Sequence, residues 1–377
     1  MLIKRRKFIG LIPGLVIAST SCILLSFNTT KYLTVNRKRN LPFFLGWYDH
    51  IYNIDVSTQV SSKGIDLLIP YVGEADKGKI QEFLDISKKA GVKVLLEIYR
   101  PLVESENILG VKHFIRTYKN HPSVYGWYLY DEPEIKKPTP LSPDLLKKIY
   151  QAIKEEDNSK PVALVFADIK KIESYADAMD ILMWDRYPCE EGVSEFEWVL
   201  SYRKALYKVI SLAYVKKKKF WNVLQAYSKN QFKKRLPTKR EFRYMFYLSV
   251  LTGADGLLFW THYLSSHFWN ESVLYPTIQE FRDYVPAIVR GEDSNNQVQV
   301  NHSDIEVKLF SIPNTKNFVM IAVNHNDTQI NLTVKLPQKL ANKLVTFNQN
   351  PITKLSAEAG FSTILEAYEV RLYQIGM

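Results

Sequence analysis

Apolar residues recur along the chain in short, dense runs. Longer stretches separate them, in which apolar positions return every three or four residues. Eight such runs, at residues 42–48, 65–72, 92–99, 124–130, 162–167, 181–184, 220–225 and 256–260, have the length of strands. Several are apolar throughout rather than alternating, the pattern of strands buried on both faces. Amphipathic segments lie between most of them. Residues 77–90 place Ile80, Phe83, Leu84 and Ile86 on one stripe and stop at Gly91. Residues 109–119, 143–156, 195–214, 238–251 and 277–289 follow the same pattern, and Ser142-Pro143 and Pro237-Thr238 read as helix starts. The stretch between the first two strands has no clear stripe. Strand–helix alternation predicts parallel β-α-β units. Eight of them in about 250 residues predict an α/β fold, a (β/α)8 TIM barrel.

After Glu292 the pattern changes. Asp293-Ser294-Asn295-Asn296 reads as a polar linker. Residues 305–312, 318–323, 330–336, 344–347 and 368–373 then alternate with a period of two. They predict a small antiparallel β-sandwich without helices, packed on the barrel. The expected domains are 1–40 for targeting and linker, 41–292 for the barrel and 297–377 for the sandwich.

Charge narrows the function. The formal charge is +11, but the first 40 residues hold eight of the 50 basic residues and no acidic one. The remainder sets 42 basic against 39 acidic residues, a net of +3. A body so close to neutral has no global phosphate-binding field, so no nucleic-acid partner is expected. Lys4-Arg5-Arg6-Lys7 precedes 23 uncharged residues, 8–30. A basic head before an apolar stretch predicts an export signal, cleaved, lipidated at Cys22 or retained as a membrane anchor. Arg5-Arg6-Lys7-Phe8-Ile9 partly resembles a twin-arginine signal. The protein is therefore expected in the periplasm, the cell envelope or outside the cell. Two cysteines and seven histidines give no metal-ligand spacing, and there is neither a Gly-rich phosphate loop nor a G-x-S-x-G elbow. No cofactor or metal is expected.

In such a barrel the chemistry sits at the carboxyl ends of the strands. Those ends carry Asp49, Glu74, Glu97, Asp131-Glu132, Asp168, Asp185, Gln225, and Trp260 with His262. Tyr48, Tyr71, Tyr99, Tyr130, Trp184, Tyr187, Tyr227 and Tyr263 accompany them. Acids ringed by aromatics suit sugars. Aromatic faces stack on pyranose rings, carboxylates bond hydroxyls, and one protonated carboxyl can serve the glycosidic oxygen.

The run Trp127-Tyr128-Leu129-Tyr130-Asp131-Glu132-Pro133 ends the fourth strand and resembles the Asn-Glu-Pro motif of clan A (β/α)8 glycoside hydrolases. The resemblance implies that Glu132 is the general acid/base and that Asp131, in the Asn place, bonds the sugar. That family carries a nucleophilic Glu at the end of strand seven, where this chain has Gln225. The partner carboxylate is then sought elsewhere. Asp185, between Trp184 and Tyr187, is the first candidate, and Glu97 the second, with an ion pair to Arg100 as its alternative role. Tyr48, Asp131, Glu97, Tyr187, Gln225, Tyr227, Trp260 and His262 are the expected sugar-binding residues. The expected function is an exported glycoside hydrolase acting on a polysaccharide or glycan. Two alternatives stand beside it: a carbohydrate-binding barrel without turnover, and a substrate-assisted hydrolase. The lone strand-four Glu, the features of strand six and Trp260 loosely resemble the latter's chitinase-like pattern.

Overall fold

The computed structural model describes residues 42–50, 55–73, 78–290 and 298–376. The expected signal segment and the 293–296 linker lie outside them, as does Glu74. Eight parallel strands close into a barrel in sequence order. They are β1 (Phe44–His50), β2 (Leu67–Tyr71), β3 (Lys93–Glu97), β4 (Val124–Asp131), β5 (Val162–Phe166), β6 (Ile181–Asp185), β7 (Lys219–Gln225) and β8 (Gly256–Trp260). Closure is direct, with Phe44 opposite Gly256 and Trp47 opposite Phe259.

The barrel interior is filled by alternate residues of the strands, among them Phe44, Tyr48, Leu67, Ile69, Leu95, Tyr128, Val165, Met183, Trp221, Val223 and Leu258. Their neighbours face the helices. Gly46 allows this filling, since a Cβ there would stand 2.6 Å from Leu258 Cδ2. The same two-residue period carries Tyr48, Tyr71, Glu97, Asp185, Gln225 and Trp260 to the inner rim at the strand ends.

Helices cover the outside, including Ile80–Lys89, Ile108–Tyr118, Pro143–Glu156, Val199–Val215 and Lys239–Thr252. Ser142 and Thr238 cap two of them, accepting from the backbone N–H of Leu145 and Glu241. The expected helix starts are thus found, with a full capping box at Thr238. The first connection carries a short helix, Val56–Ser61, and the β5–β6 connection a 3-10 helix, Ile172–Ala178. Among the described residues no helix is long and apolar enough to cross a membrane.

The C-terminal strands are β9 (Gln299–Val300), β10 (Ile305–Ser311), β11 (Phe318–Asn324), β12 (Ile330–Lys335), β13 (Leu344–Phe347), β14 (Asn350–Lys354), β15 (Gly360–Leu365) and β16 (Val370–Gly376). They form a five-stranded sheet, β10-β11-β16-β13-β14, and a three-stranded sheet, β15-β12-β9. All ladders are antiparallel. Strand β11 shows how the sandwich is attached. Met320 and Ala322 enter the core between the two sheets, whereas Val319, Ile321 and Val323 join the core of the barrel. Both faces are apolar because both are covered. Polar contacts add to the seam: Tyr207 Oη donates to Glu306 at 2.8 Å, and Lys308 Nζ donates to the Leu251 carbonyl at 2.7 Å.

Candidate active site

The β4 terminus is irregular, and the irregularity places the acids. Pairing with β5 slips between Tyr128 and Tyr130. Tyr128 faces the barrel interior, while Leu129 and Tyr130 join the outer core. Glu132 follows with φ +47°, a left-handed conformation uncommon for a side-chain-bearing residue and frequent at active sites. Its N–H donates to the Val165 carbonyl at 3.2 Å and its carbonyl accepts from Ile135 N. Two residues on, the fully buried Glu134 accepts from the N–H groups of Ala167 and Asp168, each at 2.9 Å. Loop β4 is thereby pinned to the end of β5.

Three carboxyls, Asp131, Glu132 and Asp185, reach a cleft of about 180 Å³ at the mouth of the barrel. Five aromatic side chains wall it: Tyr48, Tyr187, Tyr227, Phe232 and Trp260. Tyr187 stacks on Trp260 with centroids 5.3 Å apart and planes at 18°, and Tyr227 meets Trp260 edge-on at 4.3 Å. Trp260 is held by its Nε1–H, which donates to Tyr71 Oη at 2.6 Å.

Glu132 and Asp185 line the same cleft, close enough for each to act on the other's proton. Two carboxylates that close cannot both ionise, so the pair retains a proton. Burial, followed by the charge of Asp131, lifts Glu132 to about 7. Burial and the charge of Glu132 hold Asp185 well above the carboxylate range. Asp131 accepts from Tyr128 Oη at 2.7 Å and from Arg100 Nη2 at 3.2 Å.

The expected site residues divide accordingly. Glu132, Asp185, Asp131, Tyr48, Tyr187, Tyr227 and Trp260 meet in the cleft. Glu97 stands behind it, buried, accepting from Arg100 Nε and Val72 N, each at 2.7 Å. Burial raises it to about 7, with Arg100 pulling the other way. Gln225 also stays out of the cleft lining. Its amide accepts from Cys189 N at 2.8 Å and donates to the carbonyls of Cys189 and Arg235 at 2.9 and 2.8 Å, clasping the loops after β6 and β7. His262 sits at the β8 rim with Nδ1 2.7 Å from Asp49 Oδ2. Trp184 faces outward against Tyr202. Cys189 is a free, buried thiol.

Sequence reasoning missed Phe232, Glu134 and the second partner of Arg100. Phe232 comes from the short 3-10 turn Asn230–Phe232, and no motif marks it. Arg100 bridges its neighbour Glu97 to Asp131, 31 residues further along the chain than Arg100 itself, between the rings of Tyr71 and Tyr130. Among the described residues no group of His, Cys, Asp and Glu is arranged to hold a metal ion.

No protein-family model matches the chain, and no curated protein matches it. Solved structures do. A GH27 β-L-arabinopyranosidase from Geobacillus stearothermophilus aligns with a TM-score of 0.58 at 11% identity, over 92% of this chain and 98% of that one. A GH30 endoxylanase from Clostridium papyrosolvens gives 0.54 at 11%, over 91% and 98%. An endo-β-1,4-mannanase from Thermotoga petrophila gives 0.50 at 12%, over 88% and 92%. At such identities the likeness is one of fold. The chain shares with these glycoside hydrolases a TIM barrel followed by antiparallel β-sheets, over nearly the whole of its length.

Proposed function

We propose that this protein hydrolyses O-glycosidic bonds of a polysaccharide or other glycan, with Glu132 as the proton donor. One observation carries the reading: the acids Glu132 and Asp185 share an aromatic-walled cleft at the strand ends, where burial lifts Glu132 to about 7. A general acid works best when its pKa lies near the working pH. The Tyr187–Trp260 stack and Tyr227 hold the sugar ring, and Asp131 and Tyr48 bond its hydroxyls. Glu132 protonates the glycosidic oxygen as the bond to the anomeric carbon breaks.

Asp185 lines the same cleft as Glu132, and burial together with the Glu132 charge keeps its proton on. In the free protein Asp185 therefore acts as the proton partner of Glu132. When a sugar enters, its glycosidic oxygen takes the Glu132 proton and the pair separates. Asp185 then faces the positive charge that develops on the ring, and a water adds to the anomeric carbon while giving a proton back to the Glu132 carboxylate.

A glycan-binding barrel without turnover is the second reading. Gln225 favours it, because its side chain is spent on backbone groups where the resembling family has a nucleophile. The purified protein, incubated with a panel of plant, fungal and bacterial glycans, distinguishes the two. Release of new reducing ends supports hydrolysis, and tight binding without release supports the rival. We place the reaction outside the cytoplasm, on the strength of the basic head and the uncharged stretch 8–30. Full-length protein recovered in the cytosol would contradict that placement.

A further inference from the structure

The cleft holds an excess of negative charge. Glu132 and Asp185 retain a proton between them, and Asp131 adds a further carboxylate. Among the described residues that line the cleft there is no Lys, Arg or His. The cations bonded to or stacked on its lining residues are engaged elsewhere: Arg100 is shared between Asp131 and the buried Glu97, Lys234 is held by the Tyr187 carbonyl and Glu190, and Lys229 lies over the Phe232 ring. Among the described lining residues a ligand meets carboxyl oxygens and ring faces, with no guanidinium or ammonium.

We infer that the cleft selects by charge: the sugar it holds carries no acidic group. Neutral rings enter, and so do rings bearing a free amine, whereas uronates and sulfated sugars are turned away. Hydroxyls and ammonium groups donate to the three acids, and C–H faces stack on Tyr187 and Trp260. A sugar carboxylate would set like charge against like without a counter-ion, and such juxtapositions are how binding sites exclude wrong partners. Even the ion pair of Arg100 with Asp131 would not help, because a guanidinium already shared by two carboxylates has little left for a third. This inference rests on the glycan reading above.

Matched ligands isolate the charge. Oligomers of galacturonate, mannuronate and glucuronate are each compared with their carboxyl-reduced forms, which keep linkage and stereochemistry and exchange a carboxylate for a hydroxymethyl group. Affinity by calorimetry and release of reducing ends are measured for the wild-type protein at pH 7. We expect a neutral member to be bound, and its uronate partner to bind at least about tenfold more weakly, with the gap narrowing as ionic strength rises. Phe232→Lys supplies a cation at a half-exposed position of the cleft wall, and it should narrow the gap at least threefold. A uronate bound as well as its reduced form would overturn the charge selection and leave the glycan reading standing. If no member of any pair is bound or cleaved, the glycan reading fails and this inference fails with it.

Discussion

Asp131→Asn makes the strand-four motif Asn-Glu-Pro and removes one negative charge beside Glu132. Burial is the main cause of the high Glu132 pKa and the Asp131 charge the next, together lifting it from 4.5 to about 7. Losing the Asp131 charge should lower the Glu132 midpoint, each pH unit of that fall corresponding to about 1.4 kcal/mol between the two protonation states. The fold should tolerate the exchange. The amide oxygen still accepts from Tyr128 Oη, and the Arg100–Asp131 pair, at 3.2 Å with both side chains partly exposed, is worth at most about 1 kcal/mol. Carbon-13 NMR of labelled Glu carboxyls, titrated from pH 4 to 9, reads the midpoint without a substrate. Because protonated Glu132 is the active form in our reading, the alkaline limb of kcat/KM should move to lower pH by the same amount. A midpoint that stays in place or rises would refute the electrostatic account of this site.

Other consequences follow from neighbouring residues. Gln225→Ala leaves the N–H and carbonyl of Cys189 and the carbonyl of Arg235 without their buried partner, at a cost of roughly 2–4 kcal/mol. Gln225→Glu turns the donor that faces two carbonyls into an acceptor and should destabilise at least as much in urea denaturation; wild-type stability of both variants would contradict the clasp. Folded Glu97 titrates at about 7 against 4.5 when unfolded, so the folded state binds more protons in that window and stability falls as pH rises through it. Glu97→Gln should flatten part of the slope measured between pH 5 and 8, and an unchanged slope would tell against that proton. Deleting residues 293–377 uncovers the barrel surface under Val319, Ile321 and Val323 and should lower solubility or melting temperature; wild-type melting would show that the seam contributes nothing.

The barrel was legible because its strands are short apolar runs buried on both sides, a signal carried by local composition. The first connection was legible in part: residues 51–64 show no stripe, and among the described residues the six-residue helix Val56–Ser61 is found there. The period-two pattern marks five strands of the sandwich, where eight lie among the described residues. Strand β14, Asn-Pro-Ile-Thr-Lys, is mostly exposed and has no apolar face to announce it, and β9 spans two residues. In β15, Gly360 and Ser362 dilute the alternation around Phe361 and Leu365. At the site, strand position and residue type located the acids and most of the aromatics. They could not decide the fate of Gln225, whose strand phase points inward while its amide is captured by two loops. Nor could they show the β4 register slip that brings Glu132 to Asp185, since that depends on pairing with β5.

The central claim is that Glu132 delivers the proton to the leaving oxygen, and one substitution tests it most directly. Glu132→Gln keeps the shape of the side chain and removes the acid. Turnover of the glycan identified by the panel should fall by about 10²–10⁴-fold, with sugar binding largely intact. Cleavage of an aryl glycoside whose leaving group needs little protonation should suffer far less. Wild-type turnover on the natural glycan by Glu132→Gln would contradict the assignment and return Asp185 and Glu97 as the acids to examine.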